Sequence, residues 1–308
     1  MSAVLAEIFY WVLNMSIVAG LMGLIVLLLR RIKPLPRFLA CGLWLVPLVR
    51  FWVPFALPGK YSLMSLISAF TTRAVPAPLP DNLPQLYYTN ALMAADDYFP
   101  LAYKTESLKL VFNVASVVWI SVFAAAVIIL ALLYGLNKSR IKDAVPVRGN
   151  IYRSAKVTSP AVYGIIKPKI IIPVGVSDSD LKYILLHETA HVRRKDNLWR
   201  GIALLTACLH WFNPLSWVFL KACFADMELA CDAKAIRGLT DDERRQYALS
   251  LLNCAAPKSA LVSAFGGAKL KPRIQSILTY KKLTVASGLF FAALTAAVFI
   301  ILLTNAQA

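Results

Sequence analysis

Apolar residues along this chain fall in long unbroken blocks, not in the amphipathic periodicities of a soluble protein. Four blocks approach the roughly 20 residues needed to cross a hydrocarbon core about 30 Å thick. They run from about Leu5 to Leu29, Phe38 to Leu57, Leu110 to Leu136 and Leu283 to Leu303. The first is too long for a signal-peptide core, and no small-residue cleavage site follows it. The predicted architecture is a membrane protein with four transmembrane helices. Residues 1–136 hold three spans and an outer loop, 58–109. A mainly helical α+β domain occupies 137–282, and 283–308 hold the fourth span and a short outer tail.

Within 137–282 the pattern shortens. Lys156–Gly164 and Lys169–Val174 read as two strands joined by a turn. Ser177-Asp-Ser-Asp180 opens a helix in a capping-box pattern, and that helix continues to about Lys195. Two apolar halves, Gly201–Leu209 and Leu215–Leu220, are parted by His210 and Asn213-Pro214. Each is too short to span, so they predict a buried helix turn in a membrane-apposed domain, with a re-entrant hairpin as the alternative. Pro214 suits the first turn of a second helix, running to about Arg237. Thr240-Asp-Asp-Glu243 is a second capping box.

Composition agrees: 59% of the 308 residues are hydrophobic and the mean hydropathy is +0.64. The net charge of +17 admits a nucleic-acid reading, but no nucleic-acid motif is present and the basic residues are dispersed. The charge instead sets topology. Arg30, Arg31, Lys33 and Arg37 crowd the first connection and 137–282 is strongly basic, whereas 58–109 is balanced. Basic flanks stay inside, which places both termini outside and the 137–282 domain in the cytoplasm. Five cysteines, an odd number with no CxxC, give no disulfide framework. Arg50 lies inside the second block, where a charge either serves function or snorkels or pairs with another span. The outer loop, with Ala74-Val-Pro-Ala-Pro-Leu-Pro80 and Tyr87-Tyr88, reads as a small irregular ectodomain.

The chemistry centres on His187-Glu-Thr-Ala-His191. Residues four apart on a helix share a face, so two imidazoles can share one Zn²⁺, with Glu188 as general base toward a water that the metal acidifies. Two of only three histidines fall in this motif, which weighs against a chance match. A catalytic zinc needs a third protein ligand. On the second helix, Glu228 is assigned that role, with Asp232 one turn on to hold the free N–H of a ligand histidine. Asp226 is turned about 200° from Glu228 and Cys231 about 100° from Asp232, which disfavours both. A solvated acidic face is the bland alternative. His210 either stabilises a developing oxyanion, as a candidate catalytic residue, or serves as a structural hydrogen-bonder. The strand edge before the zinc helix either holds an extended peptide or merely covers the core.

These residues resemble the M56 family of membrane metallopeptidases, which includes the BlaR1/MecR1 sensor-transducers. The matching stretches are Ser159-Pro-Ala-Val-Tyr-Gly164 with Pro168 and Pro173, His187–His191, His210-Trp-Phe-Asn-Pro214 and Glu228-Leu-Ala-Cys-Asp232. The order of spans agrees. The resemblance implies a gluzincin-like zincin domain in a multi-pass protein of the bacterial cell membrane, with His187, His191 and Glu228 as ligands and Glu188 as catalytic acid/base. It implies cleavage of a cytoplasmic protein, in the sensor-transducers with loss of a transcriptional repressor. Those proteins carry a penicillin-binding domain after the fourth span. This chain ends at Ala308, so sensing by β-lactam acylation is not expected. The expected partners are a cytoplasmic protein substrate and membrane lipids, with no direct nucleic acid. Three functions compete: a signalling endopeptidase, a broad quality-control protease, and a non-catalytic adaptor with structural zinc. Glu188 argues against the last, because a structural site needs no acid/base.

Overall fold

The computed structural model describes residues 2–32, 34–56, 62–63, 77–78, 87–88, 106–254, 270–282 and 284–304. The expected ectodomain lies largely outside the described residues. The chain divides into two compact units. One comprises 1–126, 206–219 and 285–308, and the other 127–205 and 220–284.

In the first unit α1 (Ser2–Leu29) packs along α3 (Leu45–Trp52). Val18 and Met22 of α1, Val46 of α3 and Leu302 of the final helix α10 (Val285–Leu303) form one buried cluster; α2 (Arg37–Gly42) precedes α3. Among the described residues three helical segments are long and apolar enough to cross a membrane: Val4–Leu29, Leu110–Ser139 within α4 (Glu106–Arg140), and Val285–Leu303. The block expected as a second span, 38–57, contains α2 and α3 rather than one long helix. Between them Trp44 N–H bonds Cys41 O at 3.3 Å and Val46 N–H bonds Leu43 O at 3.1 Å. These are tight three-residue turns, and Pro47, with no N–H to give, sits in the first turn of α3. Two-residue strands β1 (Phe55–Ala56), β2 (Ala77–Pro78) and β3 (Tyr87–Tyr88) pair in the order β1-β3-β2.

Arg50 is 2% exposed and is not snorkelling. Its guanidinium donates to the terminal carbonyls of α10, at 2.8 Å to Leu303 O and 3.1 Å to Thr304 O. A cation there answers the negative end of the helix dipole and its unpaired carbonyls. Residues 206–219, the corner between α6 (Asp196–Leu209) and the start of α7 (Pro214–Ala235), belong to this unit as well. Trp119 Nε1–H bonds Leu209 O at 2.9 Å, and Asn213 Nδ2–H bonds Ser16 Oγ at 2.8 Å. Gly23 lies so near Phe219 that a Cβ there would fall 2.2 Å from the ring. The corner thus packs among the helices of the apolar unit.

The second unit joins a four-stranded sheet to helices. The expected pair of strands is present as β6 (Ala161–Tyr163) and β7 (Lys169–Pro173), antiparallel across a turn in which Gly164 takes φ +90°. The sheet also contains β4 (Val145–Arg148) and β5 (Ile151–Ser154), in the order β4-β5-β7-β6, with β5 and β7 parallel. Asn197 Nδ2 donates to Val162 O of β6 at 2.9 Å and to Gly164 O of the following turn at 3.0 Å, so both carbonyls are already engaged. Helix α5 (Asp178–Arg194) starts on the Ser177 cap, whose Oγ accepts from Asp180 N–H. It ends at Lys195 in the left-handed region, φ 56°, and α6 starts at the next residue. Helices α8 (Asp241–Asn253) and α9 (Leu270–Leu278) pack together, burying Tyr247, Ala248 and Ile277 with Ile236 of the α7–α8 connection.

Candidate metal centre

Helix α5 buries Ile184, His187, Glu188, Ala190 and His191, so its core-facing stripe and the HExxH residues coincide. The two imidazoles present their Nε2 atoms to each other at 3.0 Å. Glu228, on α7, brings Oε2 to 3.5 Å from His187 Nε2 and Oε1 to 3.8 Å from His191 Nε2.

Hydrogen bonding fixes which ring nitrogens carry protons. Tyr247 O–H donates to Asp232 Oδ1 at 2.8 Å. His187 Nδ1 therefore faces two acceptors, Tyr247 Oη at 2.9 Å and Asp232 Oδ1 at 3.1 Å, and must carry a proton. Around His191 the same logic runs through Asp196, whose Oδ2 lies 2.7 Å from Nδ1 and 2.9 Å from Cys231 Sγ. Burial and Asp196 push the Cys231 thiol up, so it keeps its proton and donates it. With both Nδ1 atoms as donors, the two Nε2 atoms converge beside a carboxylate on a point that a proton on His187 or a metal ion can fill. Such an arrangement calls for a cation.

The spacing fits one. Bonds of about 2.0–2.1 Å in a tetrahedron put ligand atoms about 3.3–3.4 Å apart; the three edges here are 3.0, 3.5 and 3.8 Å. His191, Asp196 and Cys231 also cluster. The two separations that involve Asp196, 2.7 and 2.9 Å, are hydrogen-bond lengths shorter than any edge of the first group, and the third is 3.2 Å. Cys231 therefore supports His191 indirectly, through Asp196.

Charge is concentrated here. Burial opposes ionisation of Glu228, but His187, Arg200 and Arg273 hold it well below the usual carboxylate range. Asp232, buried but paired with Arg273, is driven down to about 2. Burial and Arg273 work against protonating His187, yet hydrogen bonds to Asp232 and Glu228 outweigh them and push it up to about 9 without a metal. Glu188 is 7% exposed, and its carboxylate makes no hydrogen bond among the described residues, leaving its lone pairs free for a water or substrate proton.

Of the residues singled out by sequence, His187, Glu188, His191, Glu228 and Asp232 belong to the second unit. His210 belongs to the first. It is fully buried, with Nε2 3.1 Å from Phe51 O and its ring 4.5 Å from that of Phe51. Asp226 is buried outside both groups of potential ligands. Asp196, Tyr247, Arg200 and Arg273 are additions. Only Asp196, five residues past His191 at a helix start, had a local signal. Two Ser-x-x-Lys tetrads, 139–142 and 179–182, also occur, both before the fourth apolar block. In the second, Lys182 is engaged by Glu243 at 2.8 Å, away from any serine nucleophile role.

Comparison with known proteins follows the same lines. The family description "BlaR1 peptidase M56" matches residues 10–277. Regulatory protein BlaR1 of Bacillus licheniformis is 29% identical over 215 residues, covering 59% of this chain and 35% of that protein. The methicillin resistance mecR1 protein of Staphylococcus aureus is 27% identical over 138 residues, 41% of this chain and 24% of that protein. The Staphylococcus aureus BlaR1 is 29% identical over the same length. The chain thus spans about a quarter to a third of these curated relatives. A match that runs from within α1 through α4 and every residue around the two histidines to α9 makes this chain a member of the M56 peptidase family.

Proposed function

We propose that the protein is an integral membrane zinc metalloendopeptidase that cleaves a cytoplasmic protein as a step in transmembrane signalling. Glu188 carries this reading: a buried carboxylate without a hydrogen-bond partner among the described residues, next to a ligand histidine, which a purely structural metal site does not require. His187, His191 and Glu228 would hold the ion, and Asp232 and Asp196 would keep the two Nδ1 protons in place. A zinc ion held there supplies a Lewis acid able to bring the pKa of water at its open position to about 7. Glu188 accepts the proton from the attacking water and returns it to the leaving amine. The basic flanks of the apolar blocks support a cytoplasmic domain between the third and fourth blocks, with both termini outside and the α2–α3 pair together making the second crossing. Resemblance to the sensor-transducers supports a transcriptional repressor as the substrate.

The test incubates purified protein in detergent with a cytoplasmic proteome and reads new termini by mass spectrometry, parent beside Glu188→Gln. One or a few cuts present only with the parent are expected. Many Glu188-dependent cuts would mean a quality-control protease; Glu188-independent cutting would contradict the mechanism.

A further inference from the structure

Arg273, already seen beside Glu228 and Asp232, touches more of the centre than any other described side chain outside α5 and α7. It comes from α9, 86 residues beyond His187. It is 8% exposed. Its Nε–H donates to Asp232 Oδ2 at 2.7 Å and one NH2 proton to Asp232 Oδ1 at 2.8 Å, a side-on bidentate pair. NH1 lies 3.2 Å from Glu228 Oε2, and NH2 lies 3.3 Å from His187 Nε2. One rigid plane therefore reaches three residues of the centre.

We propose that Arg273 is a positioning residue of the metal centre, holding Asp232 and Glu228 where they orient and complete the His187–His191 pair. The inference rests on the zinc-site reading above. Its logic begins with Asp232, which is 1% exposed. A carboxylate so far from water needs both oxygens paired, and the side-on fork of Arg273 fixes the plane in which Asp232 Oδ1 meets the His187 Nδ1–H. Glu228 poses the complementary problem. Its two oxygens must face two different imidazoles, and a carboxylate free to rotate would not hold that pose. Arg200 takes Oε1 and Arg273 takes Oε2, which pins the group from both sides. A planar guanidinium does this by shape; a lysine ammonium, a point charge, cannot make the side-on pair and reach Glu228 at once.

Helix α9 is built to deliver this fork. Ile277, one turn after Arg273 and on the same face, is fully buried against Tyr247, Ala248 and Ile236, with Ile274 and Tyr280 beside it. Tyr247 in turn bonds both Asp232 and His187. The apolar seat of α9 and the polar grip of Arg273 on Asp232 therefore meet around one tyrosine, so docking of α9 and positioning of the ligands go together.

The experiment uses the full chain in detergent, as parent, Arg273→Lys and Arg273→Ala. Folding is followed by thermal circular dichroism. Zinc affinity is measured by chelator competition, and ligand geometry by the visible absorption of the Co²⁺-loaded protein. Expected is a 10–100-fold loss of zinc affinity in both variants. The cobalt spectrum should be altered in Arg273→Lys, with affinity partly restored to Arg273→Ala by millimolar guanidinium. Parental affinity and spectrum in Arg273→Lys would overturn the proposal. So would a folded Arg273→Ala that guanidinium does not rescue. Should Arg273→Ala not fold, Arg273→Lys alone decides. No zinc in the parent would instead overturn the zinc reading.

Discussion

At the scale of single residues, the site is organised around where protons sit. His187 and His191 each give Nδ1–H to a carboxylate environment and turn Nε2 inward. Replacing Asp196 by Ala removes that hold on His191, and zinc affinity is expected to fall 10–100-fold in a chelator competition; unchanged affinity would mean that Asp196 only packs. Without metal, His187 keeps its proton up to about pH 9. A metal must displace that proton, so zinc affinity should rise with pH between about 7 and 9, up to tenfold per unit, and level off above. Calorimetry in buffers of different ionisation enthalpy should register about one proton released near pH 7. The histidine pair was legible because a four-residue spacing has one geometric meaning on a helix. Asp232 was legible as the next turn after Glu228. Tyr247 and Arg273 were not, since tertiary packing brings them from 60 and 86 residues beyond His187.

At the scale of elements, end chemistry and close approach decide more than hydropathy. The α8 capping box is complete, with Thr240 Oγ1 accepting from Glu243 N–H and Glu243 accepting from Thr240 N–H at 3.0 Å. Thr240→Ala should cost about 1 kcal/mol, read as a lowered thermal midpoint. Gly23→Ala would drive a methyl into the buried Phe219 ring. A cost of about 1–3 kcal/mol is expected, reduced when Phe219 is shortened to Leu; equal costs in both backgrounds would refute the contact. Hydropathy averages over a window, which is why 38–57 looked like one span: Gly42 and Pro47 hardly change the sum, yet a turn separates α2 from α3. The β4–β5 pair escaped for the opposite reason. Its four-residue strands are too short for periodicity, and only Gly149-Asn150 between them marked the turn.

At the scale of the whole molecule, apolar blocks flank the stretch that carries HExxH, and the family match from 10 to 277 spans most of that order. The division into units was only partly readable. Residues 206–219 lie in the middle of the HExxH-bearing stretch but pack with α1, α3 and α4, because Trp52, Trp119 and Ser16 offer hydrogen bonds there. The central claim is that His187, His191 and Glu228 bind a zinc that Glu188 uses but does not hold. The most direct measurement is the zinc-to-protein ratio of purified parent, Glu188→Gln and His187→Ala by elemental mass spectrometry. One zinc per chain in the parent and in Glu188→Gln, and none in His187→Ala, is predicted. A parent without zinc, or a His187→Ala variant that keeps it, would contradict the account.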